Sequence, residues 1–393
     1  MDAFQFLLPT RIYFGRESLQ AIVPVLKQYK SILFHFGGEF IKDSGLYDKI
    51  STILRSDGIR FTELGGVRPQ PALSLVRQGI NVCRREQVDF ILAVGGGSVI
   101  DSAKAIGFGY YSEADVWDVL TGKAPMQNTL PIGVVLTIPA AGSESSSSCV
   151  ITNYELGIKK SFNDERIRPA FCAINPELFY TLPKEQIAYG VADMFSHIFE
   201  RYFTTSANTD LIDELAEGTM RTILRHAPTL VENRSNYEAW SQIGLSANFA
   251  HNNLLGIGRQ QTWVCHAMCN LISAKFGVAH GAALAIVTPA WMRYVYQDCL
   301  DMFVQFAVNV MGVNGSLRRK DEVALEGIRR YAKFLKSIGA PAAWRETAAD
   351  LSQLESIAKE LTGFNGREET PIAAQSFKPL YWKDIAEIYR MSA

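Results

Sequence analysis

Four short apolar runs alternate with helix-patterned segments in the first half of the chain: "SILFHF" (31–36), "DFILAV" (89–94), "LPIGVVLTI" (130–138) and "AFCAI" (170–174). Runs this apolar leave no side for solvent, so they predict strands covered on both faces, as in a parallel sheet. The segments between them, such as "ALSLVRQGINVCRREQ" (72–87), carry apolar residues at helical spacing and are long enough to cross from one parallel strand to the next. From Leu182 onward strand signals nearly vanish. "DLIDELAEGTMRTILRHAPTL" (210–230) and "EVALEGIRRYAKFLKSIG" (322–339) have helical periodicity throughout. The pattern predicts an α/β domain over residues 1–181 and an all-helical domain over residues 182–393, a division that the length of 393 residues also favours.

The chain is 48% hydrophobic and 20% charged with a formal charge of -1, which leaves no basic surplus for nucleic acid or an anionic membrane. Any bound anion must be gripped locally. The longest apolar stretches, such as "GAALAIVTPAW" (281–291), are too short to span a bilayer, and "MDAFQFLLPTRIYFG" lacks a cationic lead, so a cytoplasmic protein is expected. Six scattered cysteines do not form a disulfide framework. Cys265 and Cys269 flank His266, but their spacing is unusual for zinc, and buried thiols are the expectation.

"ILAVGGGSVIDSAKAIG" places Gly95, Gly96 and Gly97 between a strand and a helix that opens at Ser98. Residues without side chains there admit close approach of a phosphate, and helix amides favour an anion. A tight strand-to-helix turn without a ligand fits the same three glycines equally. Gly37 and Gly38 follow "SILFHF" at a place where an acid often holds the ribose hydroxyls of NAD. No carboxylate ends that strand, which leaves room for a 2'-phosphate with Lys42 as counter-charge. Glu39, one residue further on, argues the other way, so NADP(H) is favoured modestly over NAD(H).

"GVADMFSHIFE" (190–200) sets Asp193 and His197 one turn apart on a helix otherwise built for burial. A private hydrogen bond or joint ligation of a cation would each account for the pair. Two more of the six histidines, His266 and His280, lie in "WVCHAMCNLISAKFGVAHGAALAIVTPAW" (263–291). A continuous helix would hold them about 21 Å apart. Gly277 supplies a helix end that allows His280 to return. One carboxylate and three imidazoles would suit Fe(II) or Zn(II).

With these residues in view, the chain resembles the iron-containing alcohol dehydrogenases, in particular their NADPH-dependent aldehyde reductase and butanol dehydrogenase branch. The resemblance rests on "GGGSVIDSAKAIG", "LTIPAAGSESSSSCVITN", "LPKEQIAYGVADMFSHIFE" and "HAMCNLISAKFGVAHG", in the family's order and spacing. It implies a Rossmann-like nucleotide-binding domain followed by a helical metal-binding domain, a dehydroquinate synthase-like architecture. Asp193, His197, His266 and His280 fall at the metal-ligand positions and would act in catalysis through the metal. Gly95, Gly96, Gly97, Ser98 and Asp101 match the pyrophosphate and ribose loop. Thr137, Ala141 and Ser143 fall in the nicotinamide-side loop, Lys159 matches a cofactor-reaching lysine, and Gly37 and Gly38 match the turn that admits the 2'-phosphate. The implied reaction is hydride transfer between NADP(H) and a small aldehyde or primary alcohol such as butanal or butanol, at one Fe2+ or Zn2+ ion. A homodimer is expected by the same analogy.

The chain departs from the family at several places. Asn270 stands where many relatives have a histidine near the nicotinamide, and an asparagine relays no proton at neutral pH. Glu39 and Phe40 replace small residues of the NADP turn, Ala141 replaces a threonine, and Asn175 replaces an aspartate. Trp263, Phe195 and Tyr294 are candidates for an apolar substrate wall. Two other readings stay open. A non-catalytic protein could keep NADP and a metal, and a dehydroquinate synthase-like lyase would want basic side chains for a phosphate, of which 190–200 and 263–283 hold no cluster.

Overall fold

The computed structural model describes residues 1–38, 40–316 and 319–393. Two compact units make up the chain, one formed by Leu7–Thr181 and the other by Leu182–Ala393 together with Met1–Phe6.

In the first unit six strands form one parallel sheet in the order β1-β8-β5-β4-β2-β3. They are β1 (Arg11–Phe14), β2 (Ile32–Phe36), β3 (Phe61–Leu64), β4 (Phe90–Gly95), β5 (Ile132–Leu136) and β8 (Phe171–Ile174). Every residue of β2, β4, β5 and β8 is buried, which is why these four announce themselves as unbroken apolar runs. The edge strands β1 and β3 are short and half exposed, so "RIYF" and "FTEL" carry no such signal. A separate antiparallel hairpin joins β6 (Ser148–Asn153) to β7 (Ile158–Asn163).

The chain runs outward from β2 to β3 and then returns to form β4 on the other side of β2. The carboxyl ends of β2 and β4 therefore flank the point where the winding direction reverses, the place where open α/β sheets bind ligands. Register pairs Phe36 with Val94, so Gly37–Gly38 and Gly95–Gly97 emerge side by side.

Among its described residues the second unit is helical, with one isolated bridge between Ile372 and Leu380. Its central helix is Lys184–Tyr202, preceded by Pro183 and packed against the helices Asp210–Glu232, Tyr237–His251 and His280–Val295. From Val191 to Tyr202 every residue of it is buried. A helix covered on all sides obliges its polar members, Asp193, His197, Glu200 and Arg201, to find partners inside the protein. The helix Val264–Phe276 ends at Gly277, whose φ of 69° closes the turn while its N–H donates a hydrogen bond to the Ser273 carbonyl at 3.0 Å. His280 then opens the next helix.

Candidate metal centre and glycine loop

Asp193 and His197 project from the same face of the central helix, and the Gly277 turn returns His280 to the neighbourhood of His266. Asp193 Oδ1 lies 3.4 Å from His197 Nδ1, 3.5 Å from His266 Nε2 and 3.9 Å from His280 Nε2. His266 Nε2 and His197 Nε2 are 3.1 Å apart. The tightest set is Asp193, His266 and His280, whose donor atoms all lie within 4.8 Å of one another, and His197 adjoins it through the two contacts above.

These spacings test whether a cation fits. Four donors bonded at about 2.0–2.2 Å in a tetrahedron stand about 3.4 Å from each other. Moreover, Asp193 Oδ1 and His197 Nδ1 are buried and make no hydrogen bond, an arrangement that is costly without a cation and natural around one. Burial, reinforced by His251, His266, Arg201 and His280, holds His197 well below the usual imidazole value, in the neutral form that ligates metals.

Three further residues around this cluster escaped sequence reasoning. Glu200, on the central helix, accepts from His266 Nδ1 at 3.3 Å and from the His266 amide at 3.1 Å. Arg201 donates to the His197 carbonyl at 2.7 Å, contacts His251 Nδ1 at 3.1 Å and lies 4.6 Å over the Trp263 ring. The His251 ring stands 4.1 Å from that of His197. The one available signal was a second acid and a base within a helix that is apolar all round.

Of the wall candidates, Trp263 reaches the cluster, 5.3 Å from the His266 ring and 6.0 Å from that of His197. Its backbone is left-handed, with φ 56°, a conformation that costs a bulky residue energy and is held by its surroundings. Phe195 is instead fully buried against Phe199, Tyr331 and Phe334, and Tyr294 donates to Asp384 at 2.5 Å. Burial pushes the Cys265 thiol far up, which leaves it protonated. Asn270 is half-buried one turn after His266.

In the first unit the helix Gly97–Tyr111 starts directly on β4, with Gly96 as an extended cap that brings no side chain. A Cβ on Gly96 would meet Ile138 at 3.0 Å and one on Gly97 would meet the Ala141 methyl at 3.1 Å. The glycines thus let the Thr137–Ser143 stretch close over the helix start, where Thr137 N donates to the Gly95 carbonyl at 3.1 Å. Gly38 is open, with nothing within 4 Å of a Cβ. Glu39 lies outside the described residues, as does the Phe40 side chain.

Asp101 turns inward. Its carboxylate accepts from Ser143 Oγ at 2.6 Å and from the Val150 amide at 2.9 Å, and Lys159 acts on it electrostatically. Beside it Lys104, fully buried, donates to the carbonyls of Ser143, Ser146 and Ser148 at 2.7, 3.0 and 2.7 Å. Arg168 reaches the Ser145 carbonyl at 2.5 Å. The backbone of the serine-rich loop is therefore held by two buried cations.

A cluster of one carboxylate and three imidazoles, joined in one chain to a glycine turn at a sheet switch point, defines a metal- and nucleotide-dependent class of protein. Residues 9–176 match the family model "Iron-containing alcohol dehydrogenase", and residues 187–393 match "Fe-containing alcohol dehydrogenase family, C-terminal". The NADH-dependent butanol dehydrogenase A of Clostridium acetobutylicum is 36% identical over the whole of both chains. The NADPH-dependent aldehyde reductase YqhD of Escherichia coli is 32% identical over 92% of this chain and 93% of its own. The crystal structure of NADH-dependent butanol dehydrogenase A from Thermotoga maritima superposes with a TM-score of 0.94 at 36% identity, covering 100% of this chain and 99% of that one. The chain belongs to the iron-containing alcohol dehydrogenase family and is an NAD(P)-dependent oxidoreductase. Among the described residues no helix is long and apolar enough to cross a membrane.

Proposed function

We propose that this protein is a metal-dependent aldehyde reductase and alcohol dehydrogenase that moves hydride between NADP(H) and a small aldehyde or primary alcohol of the butanal type. The observation that carries this reading is the gathering of Asp193, His266 and His280, whose donor atoms lie within 4.8 Å of one another, with His197 beside them and a buried Asp193 carboxylate oxygen that makes no hydrogen bond. These four side chains would hold one divalent ion, Fe2+ or Zn2+. When bound, the ion supplies Lewis acidity toward a carbonyl oxygen and the nicotinamide supplies hydride.

The chain's own residues do the positioning. Asp193 is the one carboxylate among the four side chains and would offset one of a divalent ion's two charges. Trp263 offers an apolar face beside His266 and favours an uncharged substrate. Gly95, Gly96, Gly97 and Ser98 offer a helix start without side-chain obstruction to a pyrophosphate. Thr137, Ala141 and Ser143 line the loop that closes over it, Asp101 braces that loop, and Lys159 adds positive charge nearby. Asn270 cannot relay a proton, so the alcohol proton must leave by water or the cofactor's hydroxyls.

For the choice of nucleotide, Gly37, Gly38 and Lys42 support a 2'-phosphate. A second reading, NADH as donor, is favoured by the relatives at 36% to 38% identity that are named NADH-dependent. Six free thiols suit the reducing cytoplasm, and a homodimer belongs to the same proposal.

The test is oxidation of NADPH and of NADH with butanal by protein stripped of metal and reloaded with Fe(II) or Zn(II). Asp193→Ala and His266→Ala are assayed in parallel. Metal-dependent turnover lost in both variants is expected, with the lower KM naming the donor. Turnover that survives metal removal, or cofactor binding with no turnover of any aldehyde, would sink the proposal.

A further inference from the structure

Five consecutive residues of the helical unit, Thr262 to His266, wrap around a single carboxylate. Glu200 Oε2 accepts from the Val264 amide at 2.8 Å and from the Thr262 hydroxyl, while Oε1 accepts from the His266 amide at 3.1 Å and from His266 Nδ1 at 3.3 Å. The backbone joins the same contact, since the Thr262 amide donates to the Glu200 carbonyl at 2.8 Å. Glu200 is 1% exposed.

Two demands meet in this wrap. The helix Val264–Phe276 begins at Trp263, whose left-handed backbone supplies no side-chain cap, so its first amides need an acceptor from elsewhere. The imidazole of His266 has two nitrogens, and only the one without a proton can ligate. A carboxylate at Nδ1 draws the proton there and turns Nε2 toward Asp193 and His197, where it stands 3.5 and 3.1 Å from them. Glu200 serves both demands with its four lone-pair positions, and it comes from the same helix, one turn beyond His197. Asp193, His197 and Glu200 thus tie three parts of the cluster to one rigid rod.

We propose that Glu200 is a positioning residue for the metal centre, fixing the tautomer and direction of His266 while anchoring the turn that carries it. This rests on the metal reading given above. Glu200 touches neither substrate nor ion; it acts through His266.

Titration of metal-stripped protein with Co(II) tests it, following both affinity and the visible absorption band. Wild type, Glu200→Gln, Asp193→Ala, His266→Ala and the double variant Glu200→Gln/His266→Ala are compared. Glu200→Gln keeps the shape of the side chain but places a donor where an acceptor is required. The expected result is Co(II) affinity lower by about 10- to 100-fold with an altered band, in a protein whose metal-free unfolding stays cooperative. In the His266→Ala background the same change should have no further effect on affinity. Wild-type affinity and spectrum in Glu200→Gln overturn the proposal, as do equal losses with and without His266. If Glu200→Gln does not fold, Glu200→Asp, which withdraws the charge by one methylene, is read by the same criteria. Retention of wild-type Co(II) binding by Asp193→Ala would instead remove the metal reading, and this proposal with it.

Discussion

Lys104 Nζ donates to the Ser143 carbonyl at 2.7 Å and reaches Ser143 Oγ at 3.0 Å, while that hydroxyl donates onward to Asp101. The ammonium is fully buried, and burial lowers its pKa to about 8 against the opposing pull of Asp101, so it is still charged at neutral pH. A residue in the middle of the Gly97–Tyr111 helix therefore sets the path of the loop that faces the glycine turn.

Lys104→Met should accordingly loosen residues 143–148 and leave the Asp101 carboxylate with less compensation. Removing one partner from a buried charged network costs about 3–5 kcal/mol. The expected outcome is a lower urea midpoint and a raised dissociation constant for the nicotinamide nucleotide, measured by fluorescence, with Co(II) affinity unchanged. Unaltered nucleotide binding would show that the loop keeps its shape without this anchor.

Metal removal should be felt as a loss of stability. A cation held by Asp193 and the three imidazoles stabilises the folded chain by about 4 kcal/mol at a thousandfold excess over its Kd. Chelator should lower the Tm of the wild type, and excess Zn(II) should restore it. Asp193→Ala should show the lower Tm from the start and respond to neither. A wild-type melt indifferent to chelator would argue that the cluster is stable as a private hydrogen-bond network.

How much of this was legible beforehand follows from where each residue's partners lie. The four central strands were readable because burial on both faces forces an unbroken apolar run, whereas β1 and β3 sit at sheet edges where that demand lapses. Asp193 and His197 stood out as polar residues in an apolar helix. Glu200 lies on the same helix, yet its partners come from 262–266, a pairing that no periodicity reveals. Lys104 was hidden for the opposite reason, since a lysine in a helix ordinarily faces water and nothing local marks this one as buried. The left-handed backbone at Trp263, within the segment that surrounds Glu200, is likewise unmarked in the sequence.

His35 links stability to acid. Its Nδ1 lies 2.8 Å from the Leu64 carbonyl and its Nε2 2.9 Å from Ser102 Oγ, and burial lowers its pKa from 6.5 to about 4. Between those values the unfolded chain binds a proton that the folded chain refuses. The stability involved is fully present above pH 6.5 and is lost as pH falls toward 4. From pH 7 to pH 5 this amounts to about 2 kcal/mol. His35→Gln removes the titrating group, so its urea midpoint should fall less over that interval than the wild type's. Equal falls would show that other groups carry the acid sensitivity.

Two glycines separate the two halves of the chemistry. A Cβ on Gly281 would come within 2.2 Å of the Tyr189 carbonyl oxygen and 2.6 Å of its carbon, so the His280–Val295 helix must move away from the helix that bears Asp193. His280, the adjacent residue, moves with it. Gly281→Ala should cost about 1–3 kcal/mol through overpacking and weaken Co(II) binding while nucleotide binding stays intact. Gly97→Ala brings a methyl to 3.1 Å from the Ala141 side chain and displaces the loop over the helix start. There the expected pattern is the reverse, with weaker nucleotide binding and unchanged Co(II) affinity. Loss of both affinities in either variant would mean that the substitution unfolds more than its own unit, which circular dichroism of the metal-free variants would reveal directly.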